Sequence, residues 1–421
     1  MVYLSPQDSY ASDMVRVMPD IDQVRQCPHC RAGLSGGSVV WHGMHVLIAD
    51  RCPSCKTDVM TDLKVGHSLN FDDPLQVDLT RRTVHFDEAP AAKRWLGEPL
   101  LKGLLAPSTR KIAIDKRRFF ETDRVVILNC IDHLYGHVLL KLLNAQRHLE
   151  NPNGPAVIVI VPKFAAWLAP DGAAEVWTVD IPLSGGQAYY PALDSQIREE
   201  LTRFREVYVS KAYSHPRRFD IERFTKTAVH DLTSPEYRIT FIWREDRLWR
   251  RSFTARALKR FGVDGYGLYQ QRQAIVELFD SLRRTVPAGR FTVAGLGTRM
   301  SFPDWIDDRR VVRFDDDAER SACRVYAESR LVIGIHGSNM LLPSAHAGMT
   351  VDLMPPDRWG NFAQDVLYRS DAELDDPRLL AFRYRYPPET IGLDALSAMI
   401  ANMVNHYAIV ASHFTAEARA K

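Results

Sequence analysis

Four cysteines near the N-terminus occur as two short pairs with the residue type and spacing of a metal site. Cys27 and Cys30 form one Cys-x-x-Cys pair, and Cys52 and Cys55 form the other. Two intervening residues let a tight turn direct both thiolates at one ion, and a second such turn completes a tetrahedral shell of four sulfurs. The spacing therefore predicts a zinc ribbon that holds a structural zinc ion. The alternative role of such a ribbon is contact with nucleic acid or with a protein partner.

A group of arginines follows an apolar segment in the C-terminal half of the chain. The segment at 237–244 predicts a buried strand, and ligands of open α/β sheets bind beyond the carboxyl ends of strands. Guanidinium groups at that position can clamp a diphosphate in bidentate fashion. The alternative is a solvated basic turn that pairs locally with Glu245 and Asp246. The arginines are Arg244, Arg247, Arg250 and Arg251.

A strand, a His-Gly-Ser-Asn turn and a helix are predicted in succession from residue 331. The histidine can donate to a phosphate oxygen or a sugar hydroxyl, and the glycine permits close approach of the backbone. The serine or asparagine can cap the following helix, whose free amides attract an anion. A second glycine turn, at 294–299, supplies an arginine as a further nucleotide contact. The candidate donor-binding residues are His336, Gly337, Ser338, Asn339 and Arg299, in addition to Arg244 and Arg247.

The candidate acid–base residues lie at the end of another apolar segment, at 124–131. Asp132 and His137 follow it, and a neutral imidazole titrates near working pH and can accept a proton. We predict His137 as the general base, with Asp132 as the second candidate. Capping of a helix by Asp132 and packing of His137 are the structural alternatives.

Short apolar segments that alternate with helical patterns predict the elements that position these residues. Such an alternation is typical of parallel sheets covered on both faces. It occurs twice, so the predicted fold class is α/β with two Rossmann-like domains facing a cleft, plus the small ribbon module. The predicted strands are 124–131, 155–162, 206–213, 237–244, 290–297, 310–315, 331–337 and 349–355. The predicted divisions are a flexible arm at 1–18, the ribbon at 19–66, an N-terminal domain at 67–225, a C-terminal domain at 226–392, and a helix at 393–421 that packs back on the N-terminal domain.

The composition is that of an ordinary globular protein. The 421 residues include 54 Lys and Arg against 52 Asp and Glu, for a net charge of +2, with 46% hydrophobic residues. This balance disfavours a protein that coats a polyanion, and it gives no strong nucleic-acid signal. No apolar stretch is long enough to span a membrane and no secretory signal is visible, so we expect a cytoplasmic protein with reduced cysteines.

Three segments resemble the signature of glycosyltransferase family 61. HGSNMLLPSAHAGMTVDLMP (336–355) is similar to that family's strand, His-Gly-Ala/Ser turn, helix and acidic-apolar-Pro strand. IWREDRLWRRSF (242–253) resembles its strand followed by spaced arginines, and LYGHVLLKLLNAQ (134–146) resembles its Tyr-x-His-Trp-Leu helix. The three matches occur in the family's order. Two positions depart from the pattern: Lys141 stands where an acidic residue is frequent, and Val138 stands where an aromatic residue is usual.

The resemblance implies a GT-B architecture and transfer of a sugar from a nucleotide donor to an acceptor hydroxyl, with inversion and without a catalytic metal. It implies that Arg244 and Arg247 hold the diphosphate, that the turn at 336–339 lies at the donor, and that His137 falls at the N-domain motif. The resemblance does not name the acceptor, for which a glycan, a lipid-linked glycan and a protein stay open, and the expected contexts are cell-surface polysaccharide biosynthesis and protein modification. The alternatives are a non-catalytic nucleotide- or sugar-binding protein and a nucleic-acid-processing enzyme that uses the ribbon.

Overall fold

The computed structural model describes residues 13–86, 90–212, 216, 219–249, 265–369 and 376–419. The chain divides into two compact units, Met1–Phe219 and Asp220–Lys421, and both contain helices and sheets. The predicted mixed α/β class is therefore confirmed. The boundary lies earlier than the expected 225/226, because the Thr225 hydroxyl is 3.0 Å from the His346 ring and holds residues 220–225 on the second unit.

The first unit begins with a single strand, a two-stranded hairpin and a five-stranded antiparallel sheet. In the five-stranded sheet each strand pairs with the next one in the chain. Because the last two of its strands lie beyond residue 66, the module expected at 19–66 extends to residue 85. The strands are β1 (Met14–Met18), β2 (Arg25–Gln26) and β3 (Gly33–Leu34), which form the hairpin, then β4 (Ser38–His42), β5 (His45–Arg51), β6 (Asp58–Asp62), β7 (Gln76–Asp78) and β8 (Thr83–His85).

A six-stranded sheet forms the larger layer of the first unit. Its strand order is β1-β13-β10-β11-β12-β9, with four parallel inner strands and an antiparallel strand at each edge. The inner strands β10 and β11 are almost continuously apolar and buried, as a sheet covered on both faces requires. The elements are α1 (Pro90–Ala92), a π-helical turn (Lys93–Gly97), α2 (Glu98–Leu105), β9 (Ile114–Arg118), β10 (Arg124–Asn129), α3 (Tyr135–Leu143), α4 (Ala145–Leu149), β11 (Ala156–Pro162), β12 (Glu175–Val179), α5 (Pro191–Leu201) and β13 (Glu206–Ser210).

The expected flexible arm at 1–18 is wrong for its last part. Residues Met14–Met18 form β1, which pairs antiparallel with β13 and buries Val15 and Val17. The hydrogen bonds of the sheet and this apolar burial hold the segment in place. Residues 1–12 lie outside the described part of the chain.

The second unit is built on a six-stranded sheet in which all strands are parallel. Its order is β16-β15-β14-β17-β18-β19, so the chain runs outward in one direction from β14 and in the other from β17. Loops that leave two adjacent strands in opposite directions open a crevice at their carboxyl ends, where ligands of such sheets bind. The elements are α6 (Ile221–Thr225), β14 (Tyr237–Trp243), α7 (Gly265–Thr285), β15 (Gly289–Leu296), β16 (Asp307–Val311), α8 (Asp316–Ala327), β17 (Ser329–Ile335), α9 (Leu341–His346), β18 (Met349–Leu353), α10 (Pro377–Arg383), β19 (Tyr384–Arg385) and α11 (Leu393–Arg419).

The C-terminal helix α11 belongs to the core of the second unit. Leu396, Ile400 and Met403 are buried with the side chains of α7, and the hydroxyls of Ser281 and Ser397 lie 2.8 Å apart. The expectation that this helix packs on the N-terminal domain is therefore corrected, because its apolar face is covered by its own unit. Among the described helices, none is both long and apolar enough to cross a bilayer.

Candidate functional sites

The four paired cysteines lie together at the ends of two similar turns. The Sγ atoms of Cys27 and Cys55 are 3.6 Å apart, and those of Cys30 and Cys52 are 3.5 Å apart. A zinc ion with Zn–S bonds of about 2.3 Å places tetrahedral sulfurs about 3.8 Å from one another. The predicted grouping of the four thiols is confirmed, and their spacing fits one zinc ion.

The two turns repeat the same backbone geometry. Arg31 and Lys56 have φ values of 60° and 63°, and each lies four residues after the first cysteine of its pair. The backbone N–H of each donates a hydrogen bond to the carbonyl oxygen of that cysteine. The Thr57 hydroxyl and amide lower the pKa of the Cys55 thiol to about 6, which favours the thiolate that a metal requires. The turns are therefore shaped to direct all four sulfurs inward. His29, inside the first turn, is exposed, and its Nε2 lies 2.6 Å from Asp78 of the neighbouring sheet.

In the second unit, the two predicted loops meet at the crevice between β14 and β17. Arg244 Nη1 donates to the Asn339 side-chain oxygen at 2.7 Å, and Arg247 Nη1 donates to the His336 carbonyl oxygen at 2.5 Å. The Gln271 amide of α7 holds the arginine loop by donating to the Arg244 carbonyl oxygen at 3.1 Å. Two guanidinium groups thus lie against the turn that follows β17. Arg250 and Arg251 lie outside the described residues.

The turn after β17 brings donors into this crevice. Gly337 has φ 153°, and a Cβ atom there would lie 2.5 Å from Arg244 Nη1, so no larger residue fits without displacing the arginine. The Asn339 amide nitrogen is buried and has no hydrogen-bond partner among the described residues. A buried N–H without an acceptor is costly, and a ligand oxygen satisfies it. Neither Ser338 nor Asn339 caps a helix with its side chain, which corrects that prediction.

The His336 side chain lies in the protein interior. It is fully buried, with Nδ1 2.6 Å from Asp352 and Nε2 3.3 Å from Asp365. Nδ1 is engaged by Asp352, whereas Nε2 is buried and has no hydrogen-bond partner among the described residues, so donation from Nε2 to a ligand stays a prediction. The His336 carbonyl oxygen accepts a hydrogen bond from Arg247. Neither Asp352 nor Asp365 was predicted from the sequence as a partner of His336.

The His336–Asp352 pair predicts a pH dependence of stability. Burial alone lowers the pKa of His336, but the hydrogen bond and charge of Asp352 raise it above its ordinary value, and burial raises the pKa of Asp352. Both shifts mean that the folded pair holds protons more tightly than the unfolded chain. The part that comes from His336 is present below about pH 6.5 and is lost as pH rises through its raised pKa, whereas the part that comes from Asp352 is already lost as pH rises above about 4.

We therefore expect the melting temperature of the second unit to fall as pH rises from about 6 to about 9. In Asp352→Asn the trend should be lost or reversed, since burial then lowers the pKa of His336. Thermal unfolding of both proteins across that range measures the effect. An identical pH profile for the two proteins contradicts this assignment.

Arg299 is held in an ion pair at the edge of the same sheet. Its side chain binds Glu245, and its backbone N–H donates to the same carboxylate at 3.2 Å. A Cβ at Gly297 would collide with Glu245, so the glycine turn makes room for this carboxylate. In this arrangement the Arg299 guanidinium neutralises Glu245, and the nucleotide contact of Arg299 stays a prediction.

In the first unit, Asp132 is a fully buried carboxylate surrounded by four basic side chains. Lys141 lies 2.9 Å, His133 3.2 Å and His137 3.4 Å from its oxygens, and His67 lies 3.6 Å away. Burial opposes ionisation, but the Lys141 ammonium and the histidine hydrogen bonds hold the pKa of Asp132 well below its usual range. The predicted acid–base residues are therefore adjacent, with an ionised carboxylate beside His137.

His67 completes this cluster and was not predicted. Its Nε2 is 2.7 Å from His137 Nδ1, and burial lowers the pKa of His67 to about 4, so it is neutral at pH 7. The Gly66 N–H donates to the Lys211 carbonyl oxygen at 2.8 Å, just after β13, and fixes the segment that carries His67. Ligand atoms of His67, Asp132 and His137 lie close enough to hold a metal ion, but Lys141 already neutralises the carboxylate. No sequence spacing indicates a contact between residues 67 and 137.

Comparisons of the chain with protein-family models, curated proteins and solved structures found no match.

Proposed function

We propose that this protein is a glycosyltransferase that moves a sugar from a nucleotide-sugar donor to an acceptor hydroxyl. The observation that carries the proposal is the convergence of Arg244 and Arg247 on the 336–339 turn, at the point where the strand order of a parallel sheet reverses. Charged forks and a buried unpaired amide at such a crevice suit a diphosphate. The resemblance of three segments to glycosyltransferase family 61 supports the same function, with two Rossmann-like domains of a GT-B enzyme and cytoplasmic location.

The donor half of the mechanism requires stabilisation of the departing diphosphate. Arg244 and Arg247 supply positive charge where negative charge grows as the glycosidic bond breaks. Burial and the neighbouring cations Arg244 and Arg358 lower the pKa of Arg247, which is the electrostatic situation that an added anion relieves. Positive charge in place before the reaction reduces the need for a catalytic metal.

The acceptor half requires a base, for which we propose His137. His137 Nδ1 lies 2.7 Å from His67 Nε2 and 3.4 Å from the Asp132 carboxylate, and both can accept a hydrogen bond from it. A proton on Nδ1 leaves Nε2 as the atom that takes the acceptor's proton. Lys141, which stands where family 61 frequently has an acid, ion-pairs with Asp132. The carboxylate near the histidine is therefore supplied from the end of β10, and Asp132 acts as a positioning residue.

Replacement of His137 tests this assignment. In His137→Ala we expect turnover to fall by about 10²- to 10⁴-fold, because general-base assistance has that size, while donor affinity stays unchanged. Turnover and nucleotide binding are measured on the same preparations. His406→Ala, at an exposed histidine on α11, is the matched control. Loss of donor affinity with normal turnover at saturation would place His137 in binding instead.

The activity is tested with a panel of UDP-, GDP- and CDP-linked sugars. We expect one nucleoside diphosphate to raise the melting temperature and the corresponding sugar nucleotide to be hydrolysed slowly without acceptor. Stabilisation without any turnover, with every acceptor class tried, supports a non-catalytic binding protein. Retention of DNA or RNA with no response to nucleotides supports a nucleic-acid enzyme.

A further inference from the structure

The loop that follows β18 carries two exposed aromatic rings beside the arginine crevice. Trp359 and Phe362 are 47% and 46% exposed, and their rings are nearly parallel, with 8° between planes and 6.1 Å between centroids. The two rings are stacked, and about half of each side chain stays exposed to solvent. We call this pair the aromatic platform.

Residues that flank the platform in the chain interact with residues of the candidate diphosphate site. Asp365 lies 3.3 Å from the His336 ring. The backbone carbonyl oxygen of the same histidine accepts a hydrogen bond from Arg247. Phe362 packs on Tyr386 with ring centroids 4.4 Å apart. Because β17 and β18 are adjacent and parallel, the loops that leave their carboxyl ends lie at the same edge of the sheet.

Three arginines lie at this edge of the sheet, which suits an anion that also carries a flat ring. Arg358 directly precedes Trp359, and burial together with the charges of Arg244 and Arg358 lowers the pKa of Arg247. Three carboxylates lie among these arginines: Asp246 binds the Arg244 guanidinium, Asp357 lies 3.8 Å from Arg358, and Asp365 faces His336, so a phosphate that binds Arg244 has to displace Asp246. Cationic forks beside exposed aromatic rings match the two ends of a nucleoside diphosphate.

We propose that the aromatic platform stacks the base of the nucleoside diphosphate whose phosphates bind Arg244 and Arg247. This inference rests on the proposed function and assigns its base-binding surface. Aromatic stacking tolerates any base, since every base has a π face, so the platform supplies affinity while other groups select the base.

The test compares a ligand that has a base with one that lacks it. UDP, GDP, CDP and inorganic pyrophosphate are titrated calorimetrically into the wild type, Trp359→Ala and Trp359→Phe. We expect Trp359→Ala to weaken the tightest-binding nucleoside diphosphate by roughly 5- to 150-fold and to change pyrophosphate affinity by less than about twofold. Trp359→Phe keeps an aromatic face and should recover most of the affinity.

Each contrary outcome has a distinct meaning. Unchanged nucleotide affinity in Trp359→Ala overturns the platform but leaves the proposed function standing. Equal weakening of nucleotide and pyrophosphate also overturns it, because the tryptophan then acts on the phosphate site. A raised KM for the acceptor with unchanged nucleotide affinity assigns the rings to the acceptor and overturns the proposal. If the wild type binds none of the four ligands, both the platform and the proposed function fail.

Discussion

Arg244→Ala is expected to weaken nucleoside diphosphate binding by roughly 10- to 150-fold, since a charge-assisted hydrogen bond contributes about 1.5–3 kcal/mol. The fold should survive, because among the described residues the Arg244 side chain forms hydrogen bonds only with Asp246 and Asn339, which lie in loops. Adding Arg247→Ala should reduce binding below detection. Calorimetric titration measures the affinities, and circular dichroism confirms that the variants are folded.

A further variant separates the effect of the bidentate geometry of Arg244 from the effect of its positive charge, and another serves as a control. Arg244→Lys keeps the positive charge without the bidentate geometry and should give an intermediate loss. Arg284→Ala removes an exposed arginine that pairs with Asp280 on α7 and should bind as the wild type does. Wild-type affinity in Arg244→Ala, or the same loss in Arg284→Ala, contradicts the assignment of the diphosphate to this crevice.

Removal of zinc is expected to unfold the two cysteine turns while the five-stranded sheet stays folded. Binding of structural zinc contributes on the order of 10–16 kcal/mol in isolated zinc-finger peptides, and the turns add only a small apolar cluster of their own. The sheet β4–β8 has a separate core that includes Leu47, Val77 and Leu96. With a strong chelator, trypsin should therefore cut rapidly after Arg31 and Lys56.

The controls distinguish zinc loss from general unfolding. Trypsin sites in the six-stranded sheets should be cut at the same rate with and without chelator. Elemental analysis should find one zinc per chain in the wild type and in Cys323→Ala, and none in Cys30→Ser. Protection of Arg31 and Lys56 in chelator, or absence of zinc from the wild type, contradicts a structural zinc centre.

Seven of the eight strands predicted from the sequence are present at the predicted places, because continuous apolar segments bounded by turn residues are typical of buried parallel strands. The eighth, predicted at 310–315, lies earlier, at Asp307–Val311, and is mostly exposed or half-buried. Several strands were missed, and one of them, the buried β12 with sequence EVWTV, carries this signal in only five residues. Strand β9 reads IDKRR and is mostly exposed, as suits a charged strand at the edge of a sheet. Strand β1 depends on a partner, β13, that is far away in the chain, which local periodicity does not encode.

The residues of the candidate sites also differ in whether the sequence alone could predict their roles. The arginine loop and the His-Gly turn are predicted because each directly follows a recognisable strand. The role of the His336 ring is set by Asp352, which the pairing of β17 with β18 brings beside it, so residue order alone does not reveal the partner. The role of His67 could not be predicted from the sequence, because only the folded chain brings it beside His137.

The most direct measurement is a crystal structure of the protein with the nucleoside diphosphate that stabilises it most. We expect phosphate oxygens within hydrogen-bonding distance of the Arg244 and Arg247 guanidinium groups and of the Asn339 amide nitrogen. Phosphates bound elsewhere, with this crevice filled only by solvent at saturating nucleotide, contradict the proposal of sugar transfer from a nucleotide donor.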